Sequence, residues 1–173
     1  MKKYFLLILI SIISCNSTHN YSLMEIKETS KQLNIPQKDL FYIDGDSLKK
    51  HYSGKKISLQ NLGIKVVDSN LNVLKTKDGK CSIKKLNEVT SLEVLEIDYQ
   101  EDNTFIKIYP NLSSRLKESK FTILCIWSKY YSKKVIIENI VLAREDVEKY
   151  KNCQILYLNA DIYSELYKQV QLK

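Results

Sequence analysis

Two nearly uninterrupted apolar runs near the C-terminus constrain this chain more than any other feature. The first is Phe121-Thr122-Ile123-Leu124-Cys125-Ile126-Trp127, and the second is Gln154-Ile155-Leu156-Tyr157-Leu158-Asn159. A short run of this kind without polar alternation marks a strand buried on both faces. Between them, a polar stretch from Ser128 to Ser132 leads into residues 133–150. There Ile136, Ile140, Ala143 and Val147 fall on one helical stripe, with Ile137 and Val141 beside it. Strand, helix and strand of these lengths predict a C-terminal βαβ unit with a right-handed crossover and parallel strands.

The upstream residues supply further α and β elements. Ser22 and Glu25 have the capping-box spacing, and Leu23, Ile26, Ser30 and Leu33 follow at helical intervals, so a helix is expected over 22–34, stopped by Pro36. Leu40 to Ile43 reads as a short strand bounded by Asp44-Gly45, and residues 46–51 as a helical turn. Residues 62–68 and 72–75 flank a Ser69-Asn70 turn and predict a β-hairpin. Residues 76–80 read as a loop, Ser82 caps a helix to Val89, Leu92 to Tyr99 reads as a strand, and residues 162–171 as a closing helix. Residues 104–118 fit a strand or a helical turn, with Pro110 breaking either. A 44% hydrophobic and 27% charged composition, with only 4 Gly and 2 Pro, excludes wholesale disorder and a long linker. The expectation is a single α/β domain over residues 22–173.

The first twenty residues carry an address. Two lysines follow Met1, and Tyr4 to Ile13 is almost entirely apolar. A helix of that length rises only about 15 Å, half of a hydrocarbon core of about 30 Å, so it suits a signal-peptide core and not a span. Ile12-Ile13-Ser14-Cys15 resembles a bacterial lipoprotein lipobox, with Ile12 in the place usually held by Leu. The resemblance implies a signal peptide over 1–14, cleavage before Cys15, a diacylglyceryl group on the Cys15 sulfur and acylation of the new amine. Two or more acyl chains hold a protein stably where one does not. Residues 15–21 read as a lipidated polar tether. Asn16, not Asp, follows the lipid cysteine, which points to the outer membrane facing the periplasm. The expected location is therefore the bacterial cell envelope, with the membrane as partner through the lipid.

Charge adds little about partners. The formal net charge is +7, from 27 basic and 20 acidic residues. Only Arg115 and Arg144 are arginines, the residue suited to bidentate phosphate and base recognition. The lysines are scattered in pairs with no long basic run, which reads as a solvated surface and not as a nucleic-acid footprint.

The βαβ unit resembles a thioredoxin-like domain of the bacterial envelope type over about residues 120–161. Trp127 matches the strand-end aromatic of that family, Tyr130 the aromatic before its first redox cysteine, and Leu158-Asn159-Ala160-Asp161 the end of its second strand. The resemblance implies a three-layer sandwich and puts the two redox positions on Tyr131 and Lys134. Disulfide exchange needs a thiolate and a resolving thiol, and a phenol and an ammonium supply neither. In the family a hairpin follows the βαβ unit. Here the hairpin and helix would come from upstream, a permuted order that requires strand 62–68 to pair beside 121–127.

The remaining candidates are few. Cys125 is in phase with Ile123 and Trp127 and reads as core, and Cys153 as a packing residue. Cys81, before a possible helix N-terminus, is the candidate reactive thiol, and a Cys81–Cys153 disulfide stays open. His19 and His51 are isolated and no metal-ligand spacing occurs, so neither a metal nor a cofactor is expected. Asp44, Asp46, Glu96, Asp98, Glu101 and Asp102 read as solvated turn carboxylates. No Gly-rich phosphate loop or nucleophile elbow is present, and no catalytic residue is assigned. Three functions follow. The first is a lipid-anchored, non-catalytic thioredoxin-like module that binds an envelope protein through an exposed loop containing Trp127, Tyr130, Tyr131 and Lys134. The second is a thiol-dependent redox protein using Cys81. The third is an envelope immunity or docking lipoprotein that neutralises or docks another secreted protein.

Overall fold

The fold grows outward from the strand over Phe121–Trp127, all seven of whose residues are buried. The computed structural model describes residues 21–52, 63–75, 91–100, 106–129 and 132–161. In chain order the elements are α1 (Leu23–Gln32), β1 (Leu40–Tyr42), α2 (Gly45–Tyr52), β2 (Gly63–Asp68), β3 (Asn72–Lys75), β4 (Glu96–Gln100), α3 (Leu112–Leu116), β5 (Phe121–Trp127), α4 (Lys133–Lys149) and β6 (Cys153–Asn159). Short 3-10 turns precede β1 and β4, at Gln37–Asp39 and Leu92–Val94. The expected loop 76–80, the helix from Ser82, the closing helix 162–171 and the leader lie outside the described residues.

The six strands form one mixed sheet in the order β1-β6-β5-β2-β3-β4. β5 and β6 pair in parallel along their whole lengths, from Phe121 opposite Cys153 to Trp127 opposite Asn159. The expected parallel pairing across the βαβ unit therefore holds, with both strands in the sheet interior. β1 extends the parallel part beyond β6. β2 lies antiparallel beside β5, with Gly63 opposite Ile126 and Asp68 opposite Phe121. This is the pairing that a permuted order requires; the hairpin β2–β3 does not build a separate small sheet.

Side chains alternate along β5 and split the core in two. Ile123, Cys125 and Trp127 pack with Ile26 of α1 and with Ile136, Ile140 and Ala143 of α4. Leu124 and Ile126 pack on the opposite side with Leu48 of α2 and Leu112 and Leu116 of α3. The chain is thus an α/β layered structure with helices on both faces of a mixed sheet, which explains why β5 reads as continuously apolar.

Local signals account for the element ends. Ser22 and Glu25 form the full capping box of α1, with the Ser22 amide donating to Glu25 Oε2 at 2.8 Å. At the other end of α1, Arg144 of α4 donates to the carbonyls of Leu33 and Asn34 at 3.2 and 2.8 Å and to the Tyr157 hydroxyl at 3.2 Å. That one side chain ties α1, α4 and β6 together. In the hairpin, Asp68 accepts from the amides of Asn70 and Asn72, both at 2.9 Å, which closes the turn. Two expectations are revised. The strand expected from Leu92 starts at Glu96, because Ser91 caps a 3-10 turn first. The ambiguous segment 104–118 forms no strand where it is described: residues 106–107 are helical, 108–111 turn around Pro110 through a left-handed Asn111, and α3 follows.

Asp146 is the surprise on α4. It faces inward beside Ala143 and is 1% exposed, whereas Val147 is only half-buried. Neither of its carboxylate oxygens has a hydrogen-bond partner among the described residues. Burial pushes its pKa up; nearby Lys149 pulls it down and Glu145 adds to the rise. A raised folded pKa means that the folded state holds the proton more tightly than the unfolded chain. The penalty is absent below the ordinary value of 3.8 and sets in as pH rises through the folded value. Asp146→Asn is therefore expected to stabilise the protein at pH 7, by about 1–3 kcal/mol. Thermal melts across a pH series should show this advantage vanishing at acid pH. A difference that is the same at every pH would refute the burial cost.

Candidate functional site

The C-terminal ends of the parallel strands β5 and β6 converge on Asp161. Its carboxylate accepts from the Ser128 hydroxyl, from the Lys129 amide at 2.8 Å and from Asn159 Nδ2 at 2.7 Å, and its own amide donates to Asn159 Oδ1 at 3.2 Å. Ser128, Asn159 and Asp161 are all buried. The Ala160 amide donates to the Trp127 carbonyl at 2.8 Å, and the Tyr109 hydroxyl donates to the Asn159 carbonyl at 3.3 Å. The chain leaving β5 is thereby locked to the chain leaving β6, and the N-terminus of α4 is set just beyond it. Ser132 caps that helix by accepting from the Val135 amide at 3.4 Å.

A second set of contacts comes from the start of the domain. Lys129 Nζ lies 3.6 Å from Glu25 Oε1 and 4.2 Å from the centre of the Tyr21 ring. The Ser22 cap and Lys129 lower the pKa of Glu25, which keeps it anionic beside the lysine. Between β5, β2 and α4 a cavity of about 100 Å³ is lined by Gly63, Ile126, Trp127, Ser128, Val135, Ile136 and Asn139. Gly63 opens β2 there with a φ of +129°, a conformation that disfavours any side chain.

The site residues named from sequence divide clearly. Trp127 is only 2% exposed and lines the cavity instead of standing on an exposed loop, because it closes a strand that is buried on both faces. Its indole Nε1 has no hydrogen-bond partner among the described residues. Lys134 is on the surface, with its Nζ 3.9 Å from Glu138 Oε1. Cys15, Cys81, Tyr130 and Tyr131 lie outside the described residues. Cys125 and Cys153 are free thiols, and burial pushes both pKa values up to about 12. At neutral pH neither is a nucleophile. Asp44 caps α2, accepting from the Ser47 amide at 2.8 Å, and Asp98 pairs with Lys75 at 3.0 Å, so these carboxylates have structural partners. Sequence reasoning used Asn159 and Asp161 only as a pattern match. Their grouping with Ser128 is the part it missed, although an Asn-x-Asp at the end of a buried strand is a visible cue.

The chain matches no protein-family model, and comparison with curated proteins and with solved structures finds no match. Among the described residues there is no group of three or more His, Cys, Asp and Glu side chains that could hold a metal ion. No described helix is long and apolar enough to cross a membrane. Chemically, the Ser128 hydroxyl is spent on Asp161 and the Lys129 ammonium faces Glu25. The described groups at this end orient backbone and bury apolar surface.

Proposed function

We propose that this chain is a lipid-anchored envelope lipoprotein whose domain is a permuted, non-catalytic thioredoxin-like module that acts by binding. The antiparallel pairing of β2 with β5 over Gly63–Asp68 carries the reading. In the resembled family a hairpin after the βαβ unit joins the same sheet. Here the hairpin precedes the unit in sequence and reaches an equivalent place beside its first strand. The parallel β5–β6 pair, the aromatic Trp127 at the end of β5 and the Asn159–Asp161 lock support the same reading. By the sequence resemblance, Tyr131 and Lys134 fall at the two redox positions of that family. The binding surface is assigned to the segment between Ser128 and α4, whose sequence includes Tyr130 and Tyr131, together with Lys134. The lipobox at Cys15 supports the anchor.

The test is to restore what is missing. The double variant Tyr131→Cys, Lys134→Cys is expected to gain a disulfide that the wild type lacks. The first thiol, placed before the N-terminus of the 17-residue α4, should titrate below the free-cysteine value of about 8.5. Insulin reduction should appear in the variant and be absent from the wild type. Two thiols that titrate at or above about 8.5 and do not pair would reject the thioredoxin-like alignment.

A further inference from the structure

We infer that the free edge of β1 binds an extended peptide of another protein by taking it as an added strand, with an acidic side chain of that peptide against Lys38. This surface is separate from the segment after Ser128 and does not depend on the lipid anchor. β1 ends the sheet, and its ladder is made with β6 alone. An end strand turns unpaired N–H and C=O groups outward. A cavity of about 440 Å³ lies along it, lined by Lys38, by the consecutive residues Leu40 to Asp44, and by Pro110, Asn111 and Arg115. Leu40 and Tyr42 pack in the core with α1 and α4, whereas Phe41 and Ile43 pack on the opposite side with α2 and α3. A single cavity that touches all of them therefore runs along the edge of the strand and not over one face. Packing on both faces also fixes the strand as a template before anything binds.

The cleft is framed at both ends by the segment that forms its far wall. The Asp44 amide donates to the Ile108 carbonyl at 2.8 Å, and Arg115 Nη2 donates to Asp39 at 2.6 Å. Five strand residues span about 17 Å, and the volume falls within the range of about 300–1,000 Å³ typical of binding clefts. Charge selects the occupant. Arg115 is engaged by Asp39 and Glu118, and Asp44 accepts from the Ser47 amide at the start of α2. Two exposed charges remain without a partner among the described residues, Lys38 before β1 and Asp46 after it. A strand laid in the cleft is matched by an acid at the Lys38 end and a base at the Asp46 end. Asn111 makes no side-chain bond to α3, so its carboxamide is available on the far wall to a peptide group. The other end of the sheet is guarded: β4 exposes Glu96 and Asp98, and charged side chains on an end strand discourage additions. Leu40–Tyr42 carries no charge.

Peptide selection tests this. The full-length protein in detergent micelles is panned against a phage-displayed library of random peptides. Enriched peptides are expected to combine β-branched or aromatic residues with an acid and a base at opposite ends. Their affinity should fall at least about threefold with Lys38→Glu. Lys38 is exposed, so this variant should melt as the wild type does. Hydrogen exchange should slow within Phe41–Ile43 when a selected peptide binds. Methylating alternate peptide nitrogens should weaken binding at least about tenfold, and methylating the intervening ones should change it little, because only alternate amides face β1. Peptides that slow exchange elsewhere, that ignore Lys38→Glu, or that tolerate methylation at every position would overturn the inference, as would a library from which nothing is enriched. Protection of the same amides by concentration-dependent self-association would overturn it in favour of a second copy of this chain.

Discussion

Asp161→Ala is expected to destabilise the protein by about 3 kcal/mol. The carboxylate is the common acceptor for the Ser128 hydroxyl, the Lys129 amide and the Asn159 side-chain amide. Truncation removes all three bonds at once. Asn159 is 1% exposed, so its released side-chain amide has little access to water, and an orphan of that kind costs about 1–3 kcal/mol. The lock also holds the two strand ends in register, so its loss should loosen the entry to α4. Urea unfolding should show a midpoint lower by about 1–2 M with an unchanged slope. Asp161→Asn keeps one acceptor oxygen and should lose about half as much. A loss below about 1 kcal/mol for Asp161→Ala would mean that the convergence on Asp161 is decorative.

The second large effect is at the other end of the chain. Cys15→Ser is expected to abolish fatty-acid incorporation outright, because a hydroxyl cannot form the thioether through which the resembled lipoproteins carry their diacylglyceryl group. The anchoring lost is large: each buried methylene contributes about 0.8 kcal/mol, so two chains of more than about ten methylenes hold a protein effectively permanently. Metabolic labelling with an alkyne fatty acid should give a strong signal in the wild type and none in the variant, at equal protein level. Ser17→Ala, outside the lipobox, serves as a control for expression. Label retained in Cys15→Ser would place the lipid elsewhere in the chain.

Much of the architecture was legible because its signals are local. The continuous apolarity of Phe121–Trp127 announced a strand buried on both faces, and the stripe of Ile136, Ile140 and Ala143 announced the face that α4 turns to it. The Ser22–Glu25 box marked the N-cap of α1, whose helix runs over Leu23–Gln32 within the expected 22–34. What was not legible depends on contacts far apart in sequence. The 3-10 turn at Leu92–Val94 and the path around Pro110 answer to packing against a sheet, and their own periodicity leaves them ambiguous. The same holds for the placement of β1 beside β6, and for Arg144, whose guanidinium reaches Leu33 and Asn34 across the fold. Asp146 could not be foreseen, since a carboxylate on an inward stripe breaks the pattern by which such stripes are recognised.

At the candidate site the strand-end residues were visible and their arrangement was not. Trp127 was expected both to end the buried strand and to belong to an exposed binding loop; it does the first only, because β5 is covered on both faces to its last residue. Asn159 and Asp161 were noted as a pattern, and only the parallel register of β5 with β6 brings them to Ser128 and Lys129. Glu25 and Tyr21 joined that end through tertiary contact alone.

The central claim is an envelope module held by lipid at its N-terminus, and intact-mass spectrometry of the protein purified from its native membranes tests it most directly. The expected species begins at Cys15, lacks residues 1–14, and carries the mass of a diacylglyceryl group on the sulfur, with or without a further acyl chain on the amine. A chain that retains Met1 to Ser14 with an unmodified Cys15 thiol would contradict it.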